Sequence, residues 1–263
     1  MSRVRAPAVA GMFYPADRAE LQQMVTDLLA AAPTDKSESP PKALIAPHAG
    51  YIYSGPIAAT AYACLSSISS TIRRVVLLGP SHRVPLQGLA LPAADEFATP
   101  MGTIAIDQRA IEVIRDLPQV TVSDEAHEME HSLEVHLPFL QLTLDSFQLV
   151  PLVVGNASPE DVAEVLEKLW GGDETLIVIS TDLSHYHDYR TAQVMDRSTS
   201  DAIEQLAFEN IQHDQACGRT PVSGLLLVAR RMHLHSETID LRNSGDTEGT
   251  RDQVVGYGAY VVH

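Results

Sequence analysis

The sequence predicts an α/β fold, a three-layer α/β/α sandwich around a central, mostly parallel or mixed sheet. Two observations lead to this prediction. Five short segments are apolar along their whole length, which is typical of strands in a sheet that is covered on both faces. Segments with helical spacing lie between them, and strands that alternate with helices form layered α/β domains.

The predicted strands are short aliphatic segments of the chain. They cover residues 42–47, 73–79, 147–155, 174–180 and 254–262. None of them alternates strictly between apolar and polar residues, so a strand with one solvated face is not expected at any of these places.

Three segments have the spacing of helices. In residues 18–32 the apolar side chains recur at i, i+3, i+4, i+7 and i+8, which places them on one stripe. Residues 158–170 start with Ser158 as the expected N-cap and Pro159 at the first helical position. Residues 220–232 form the third predicted helix.

The connection at residues 33–42, PTDKSESPPK, is polar and rich in proline. It is predicted to be a surface loop and not a domain boundary, because only one helix precedes it. No internal repeat is visible in the sequence. We therefore expect residues 1–263 to form a single domain.

The charge of the chain argues against some partners. It has 34 acidic and 18 basic residues, a formal net charge of −16, which repels nucleic acids and anionic membranes. No apolar run approaches the roughly 18 residues of a membrane span, and the first residues lack the apolar core of a signal peptide. Cys64 and Cys217 are far apart, which fits a reducing compartment. We expect a cytoplasmic protein with no nucleic-acid or membrane partner.

Three histidines follow the ends of predicted strands. His48 comes after 42–47 in LIAPHAGYIYSG, His82 follows 73–79, and His185 follows 174–180. In α/β sheets the loops at the carboxyl ends of strands converge on the ligand site. Because neutral imidazole is a common ligand of divalent transition metals, we expect the three histidines to form one metal site.

A carboxylate is expected beside these histidines. Two histidines and one carboxylate leave open positions on an ion for substrate and oxygen, an arrangement typical of non-haem iron(II). The candidates are Asp182, three residues before His185, and Asp246 or Glu248 in the loop NSGDTEGT. The residue pattern alone does not choose between them.

A competing motif is HEMEH, residues 127–131, which matches the H-E-x-x-H pattern of zinc proteases. Its surroundings, SDEAHEMEHSLE, are acidic, whereas that motif normally lies on a buried helix. We therefore favour a solvated, charged helix start over a zinc site at this place.

The next segment, EHSLEVHLPFLQ, carries Glu130, His131 and Glu134 into an apolar run. These side chains are expected either to orient a metal-binding histidine or to form an ordinary buried hydrogen-bond network, and both possibilities remain open. Tyr51, near His48, is a candidate for the lining of the site, although packing in the core is the more common fate of such a tyrosine.

A resemblance to a known family rests on motifs spread over almost the whole chain. In order, they are AGMFYP, APHAGYIYSG, LLGPSH, EHSLEVHLPFLQ, STDLSHY, CGRTPVSG and the NSGD segment with VVGYGAYVV. Together they resemble the Memo family, in particular its prokaryotic members of the AmmeMemoRadiSam system. That family is similar in fold to the catalytic subunit of class III extradiol ring-cleaving dioxygenases of the protocatechuate dioxygenase type.

The resemblance implies roles for individual residues. His48 and His82 would be metal ligands, with Asp246 as the third, and His185 would be the catalytic acid/base. From the residues themselves, Asp182 is expected to orient His185 or to touch the ion, and Glu130, His131 and Tyr51 are candidates to support the site. Animal members have a cysteine near the third-ligand position, which Asp246 is expected to occupy here. A carboxylate favours iron(II), with zinc and copper as alternatives.

Three functions are compatible with these expectations. The first is a non-haem iron(II) oxidoreductase, dioxygenase-like, acting on an unknown small-molecule substrate. The second is a metal-binding adaptor that binds peptides or partner proteins without turnover, and the third is a metal-dependent hydrolase. The resemblance also implies pathway partners, namely a radical SAM protein and an AMMECR-type protein.

Overall fold

A computed structural model describes residues 2–33 and 40–263. Over these residues the chain forms a large mixed sheet that is flanked by helices, together with one small additional sheet. The predicted α/β sandwich is therefore confirmed. Most of the polar connection predicted at 33–42 lies outside the described residues.

The strands of the described chain are numbered in order. They are β1 (Val4–Arg5), β2 (Ala43–Ala46), β3 (Arg74–Pro80), β4 (Leu89–Leu91), β5 (Glu96–Thr99), β6 (Gly102–Ala105), β7 (Val120–Val122), β8 (Gln148–Val154), β9 (Thr175–Ser180), β10 (His185–His187), β11 (Ser236–Asn243) and β12 (Val254–Val262).

The helices are numbered in the same way. They are α1 (Arg18–Ala31), α2 (Tyr51–Ala63), α3 (Gln108–Ile114), α4 (Asp124–Glu128), α5 (Leu137–Thr143), α6 (Pro159–Leu169), α7 (Tyr189–Glu204) and α8 (Arg219–Arg231).

The large sheet has the order β10-β12-β2-β9-β3-β8-β4-β7, and β11 also pairs with β12. Its central strands β2, β9, β3 and β8 are parallel, and β12 joins β2 in antiparallel fashion. All five predicted strands are present in this sheet. Every residue of β2 and β9 is buried, as expected for strands that are covered on both faces.

Helices cover the sheet in two groups. Helix α2 contacts α1, α5 and the strands β2 and β12, whereas α8 contacts α6 and the strands β3 and β9. Helix α6 begins as predicted: the Ser158 side chain accepts a hydrogen bond from the amide of Asp161, Pro159 is the first helical residue, and Asp161 bonds back to the Ser158 amide. The three helices predicted from periodicity are confirmed.

The small sheet brings the start of the chain to the body of the fold. It has the order β1-β5-β6, with β1 parallel to β5. Among residues 2–33 and 40–263, no helix has the length and apolar character needed to cross a membrane.

Candidate metal centre

The sheet topology brings two of the predicted histidines together. His48 follows the end of β2 by two residues, and His82 follows the end of β3 by two residues. Both strands run parallel to β9, so their carboxyl ends meet at the same edge of the sheet. The predicted placement of His48 and His82 in one crevice agrees with the structure.

The third member of the group is His131, which lies between α4 and the 3₁₀ turn Glu134–His136. One possible ligand atom from each of His48, His82 and His131 lies within 4.8 Å of the others, so the three residues can hold one metal ion. The ring centroids of His82 and His131 are 4.7 Å apart, and that of His48 is 5.1 Å from His82. The group extends from the buried His48 to the exposed His82.

The protonation of His48 follows from its neighbours. The hydroxyl of Ser180, at the end of β9, donates to the carbonyl of Ser132 over 2.7 Å. The same oxygen lies 2.6 Å from Nδ1 of His48, so it must accept the proton of that nitrogen. Burial lowers the pKa of His48 well below its ordinary value. The ring is therefore neutral, and its Nε2 carries the lone pair.

Glu130 fixes His82 in the same tautomer. Oε1 of Glu130 is 2.9 Å from Nδ1 of His82, and Oε2 accepts the amide of His82 at 2.6 Å. Burial alone would raise the pKa of Glu130. The hydrogen bonds from His82 and from the amide of Ser132 have the larger effect, and the pKa is lowered to about 2. A carboxylate that holds Nδ1–H leaves Nε2 of His82 available to a metal ion.

His131 has an unsatisfied nitrogen. Its Nδ1 is buried and makes no hydrogen bond with any described residue, although Oε1 of Glu130 lies 3.5 Å away. Burial lowers the pKa of His131 to about 4, so the ring is neutral. Buried polar atoms are rarely left unpaired. An unpaired imidazole nitrogen next to two prepared histidines fits a metal site.

We predict that Glu130→Gln weakens metal binding by about 10- to 100-fold, as is typical when a residue that holds a metal-bound histidine is changed. The amide keeps the shape of the side chain but removes the negative charge that His82 faces. A competition titration with a chelator measures the affinity. Glu128→Gln, an exposed change on the same segment, serves as the matched control. Equal affinities in the two variants would contradict the role of Glu130.

Asp182 lies against His48, as part of the loop after β9. Its Oδ1 accepts the amide of His48 at 2.7 Å, and its Oδ2 is 4.0 Å from His48 Nε2. Burial raises the pKa of Asp182 to about 7. The hydrogen bonds that its carboxyl group accepts from the amides of His48 and Ala49 act in the opposite direction and limit the rise. A carboxyl group is thus present beside the histidines.

Cys217 is a neighbour that the sequence did not assign to the site. Its Sγ is 3.4 Å from Nε2 of His48 and accepts the amide of Asp182 at 3.3 Å. Burial, together with Asp182, raises the pKa of the thiol to about 12, so it is protonated at neutral pH. The resemblance led us to expect an aspartate in place of a cysteine at the centre, but a cysteine lies beside the histidines.

His185 lies near the group without being one of its three members. Its Nδ1 is 2.8 Å from the carbonyl of Leu183, which accepts the Nδ1 proton and leaves Nε2 as the basic atom. Burial lowers the pKa of His185, and the nearby His82 lowers it further. The predicted acid/base position is therefore close to the candidate centre.

Asp246, the expected third ligand, has a different environment. Its carboxylate accepts the hydroxyl of Tyr189 at 2.5 Å and the amide of Asn243 at 3.1 Å, so it caps the 3₁₀ turn Ser244–Asp246. It is exposed and does not belong to the histidine group, and neither does Glu248. The candidate histidine group among the described residues therefore contains His131 and not Asp246.

The HEMEH motif is divided between two environments. Helix α4 ends at Glu128, so its two histidines do not lie on one helical turn. His127 is buried, with Nε2 bonded to the carbonyl of Ala90, while His131 joins the metal group. The zinc-protease arrangement is absent here. The expectation of a solvated helix start was also wrong, since His127 and Glu130 are each only 2% exposed.

Tyr51 contacts the segment that follows His131. Its hydroxyl donates to the carbonyl of Val135 at 2.6 Å, and its ring packs against Tyr14 and Phe139. Glu134 belongs to a buried network with Arg5 and Tyr14. Both expectations for this segment therefore hold: Glu130 orients a histidine of the candidate centre, and Glu134 belongs to a buried hydrogen-bond network.

The fold and the site define a class: an α/β sandwich with a candidate mononuclear histidine metal centre at the carboxyl edge of its parallel strands. Residues 5–261 match the family described as Memo-like protein. The chain belongs to the Memo family, as its motifs predicted.

Relatives in distant organisms support this assignment over the full chain. A MEMO1 family protein of Aquifex aeolicus is 37% identical, with 97% of each chain covered. One from Thermotoga petrophila is 34% identical, covering 96% of this chain and 97% of the relative. One from Sulfolobus acidocaldarius is 31% identical, with 97% of each covered.

A solved structure supports the fold. The uncharacterized protein JW3007 from Escherichia coli K12 aligns with a TM-score of 0.51 at 14% identity, over 82% of this chain and 98% of that protein. At this identity the likeness concerns the fold alone. The expected extradiol-dioxygenase-like sandwich is consistent with the architecture.

Proposed function

We propose that this protein is a metal-dependent oxidoreductase that binds one iron(II) ion through His48, His82 and His131. The observation that carries the proposal is the arrangement of the three rings. One possible ligand atom of each lies within 4.8 Å of the others, and Ser180 and Glu130 hold two of the rings in the tautomer that frees Nε2. A histidine that only packs or caps a loop does not need this support.

The choice of metal rests on the donors. Imidazole suits iron, copper and zinc alike, and the Asp182 carboxyl near His48 adds an oxygen donor that suits harder ions. The sulfur of Cys217 lies 3.4 Å from Nε2 of His48 and, once deprotonated, would favour softer ions. Iron(II) is proposed because the resemblance to the extradiol dioxygenase fold supports it, with zinc and copper as the alternatives.

The residues around the centre support proton transfer. An iron(II) ion would supply the redox chemistry. His185 has its Nδ1 proton held by Leu183, so its Nε2 accepts a proton from a ligand bound at the centre. Glu130 and Ser180 keep the ligand rings from rotating, which maintains the geometry that such a transfer needs.

Metal analysis of protein purified anaerobically from its native host is the test, followed by oxygen uptake with catechol-type compounds. We expect about one iron per chain and oxygen uptake that depends on it. A protein that holds no metal would refute the proposal. A zinc protein without oxygen uptake would refute its redox part and favour the hydrolase alternative, and a metal site without any turnover would favour the adaptor.

We further propose that the protein acts in one pathway with a radical SAM protein and an AMMECR-type protein, supported by its family membership. Its strongly acidic chain, with a net charge of −16, favours basic surfaces on such partners. Co-purification from the native host tests this association.

A further inference from the structure

Tyr186 has a strained backbone at the edge of the candidate centre. Its φ is 60°, a left-handed conformation that costs free energy for any residue with a Cβ and is unusual for a bulky aromatic one. The residue lies in β10 between His185 and His187, where the register with β12 shifts. Such irregularities of a strand often re-aim a side chain next to a functional site.

The side chain of Tyr186 receives little support from the fold. The residue is 70% exposed, and its ring lies 5.8 Å from that of His185, edge to face. A strained backbone that holds a large ring in solvent does not contribute to the stability of the core. Strain of this kind is typical of positions where a ligand binds.

A second tyrosine, Tyr257, lies near Tyr186 because the backbone around Leu183 pairs with the backbone of Gly256. The amide of Leu183 donates to the carbonyl of Gly256, and the amide of Gly256 donates to the carbonyl of Ser184, both at 2.8 Å. Tyr257 follows Gly256 and therefore lies next to Asp182.

The hydroxyl of Tyr257 makes no hydrogen bond with any described residue. Although the residue as a whole is only 2% exposed, its hydroxyl is the part that reaches solvent. Burial raises the pKa of the Tyr257 hydroxyl, and the nearby Asp182, Tyr53 and Tyr186 raise it further. The hydroxyl therefore keeps its proton at neutral pH and can donate a hydrogen bond. A phenol donor that lies near Asp182 and Tyr186 and makes no bond with the described residues is well suited to an oxygen atom of a ligand.

We infer that Tyr186 and Tyr257 form a ligand subsite of the centre, in which Tyr186 contacts the face or edge of a flat ring and Tyr257 donates a hydrogen bond to an oxygen on that ring. The inference rests on the proposed function, because the ring is held where a ligand of the metal would lie. It assigns these two residues to the specificity of the site and not to the binding of the metal.

The test uses the full-length protein, loaded anaerobically with iron(II), and 4-nitrocatechol as a coloured probe. We expect Tyr186→Gly and Tyr257→Phe each to weaken probe binding by about three- to tenfold, the size of one ring contact or one hydrogen bond. Tyr186→Phe keeps the ring and should bind the probe like the parent protein. Iron affinity should be unchanged in all three variants.

A thermal melt adds a readout that does not depend on the ligand. Tyr186→Gly should raise the melting midpoint, because glycine adopts positive φ without strain. His233→Gly is the matched control: His233 is also exposed, with φ 57°, but lies in the turn after α8. It should raise the midpoint while leaving probe binding unchanged.

The outcomes separate the two proposals. Failure of the parent protein to bind iron would refute the proposed function and the subsite with it. Normal iron binding with no affinity for the probe, or with equal probe affinity in the parent, Tyr186→Gly and Tyr257→Phe, would overturn the subsite and leave the metal function intact.

Discussion

His48→Ala should leave the protein with almost no bound metal under conditions in which the parent protein is fully loaded. His48 is the most deeply buried member of the group, and its Nδ1 is already committed to Ser180. Alanine removes one of the three imidazoles whose nitrogen atoms lie close enough together to hold one ion. His82→Ala and His131→Ala should have the same effect, measured as metal per chain by elemental analysis.

Two control variants make this prediction specific. His127→Ala tests the HEMEH motif and Asp246→Asn tests the sequence-based third ligand, and both should retain the metal. His127 bonds to the carbonyl of Ala90, and Asp246 bonds to Tyr189. Loss of metal in His127→Ala with retention in His48→Ala would transfer the site to the HEMEH motif. Loss in Asp246→Asn but not in His131→Ala would restore the sequence-based ligand set.

The central sheet was predictable because burial on both faces leaves a local signature. The strands β2, β3, β8, β9 and β12 are runs of apolar residues, and each appears within a few residues of its predicted bounds. Their order in the sheet was not predicted, because the rules for connections between strands leave several arrangements open.

Other strands were missed because their local signal is weak. Strands β4 and β7 are only three residues long, and β10 consists of His185, Tyr186 and His187, a polar sequence with a strained centre. Strand β11 is half-buried and carries charged residues throughout. These strands exist because of partners far away in the chain, which a window of neighbouring residues does not contain.

The same distinction explains the site. His48 and His82 were found because each follows a recognisable strand, and the edge of a parallel sheet collects such residues. The approach of His131 depends on the path of the chain after α4, and that of Cys217 depends on the start of α8 against the loop after β9. In the sequence, Cys217 stood out only as a part of the CGRTPVSG motif. The motif does not show that this cysteine lies close to His48.

The segment that carries His131 is held in place by one buried carboxylate. Glu134 is 0% exposed and accepts hydrogen bonds from the amides of Ala8 and Val9 at 2.7 and 2.9 Å. It also accepts the hydroxyl of Tyr14 at 2.5 Å and pairs with the guanidinium of Arg5. Four groups from the first residues of the chain thus converge on a residue three positions after His131.

Glu134→Ala should therefore lower the free energy of unfolding by about 3–5 kcal/mol, since it leaves the buried Arg5 charge without its partner. The amides of Ala8 and Val9 and the Tyr14 hydroxyl lose an acceptor in the same step, and buried donors without partners are costly. Denaturant unfolding of the metal-free protein measures the change. We also expect weaker metal binding, because the backbone before Glu134 positions His131.

Glu209→Ala is the matched control, because Glu209 also pairs with an arginine, Arg230, but at an exposed site. Its loss should change stability far less, as is usual for exposed ion pairs. The double variant Arg5→Met with Glu134→Leu should lose less than the sum of the two single changes, since it removes the buried charge together with its partner. If Glu134→Ala proved no more destabilising than Glu209→Ala, the carboxylate would not be what fastens the start of the chain to the segment that carries His131.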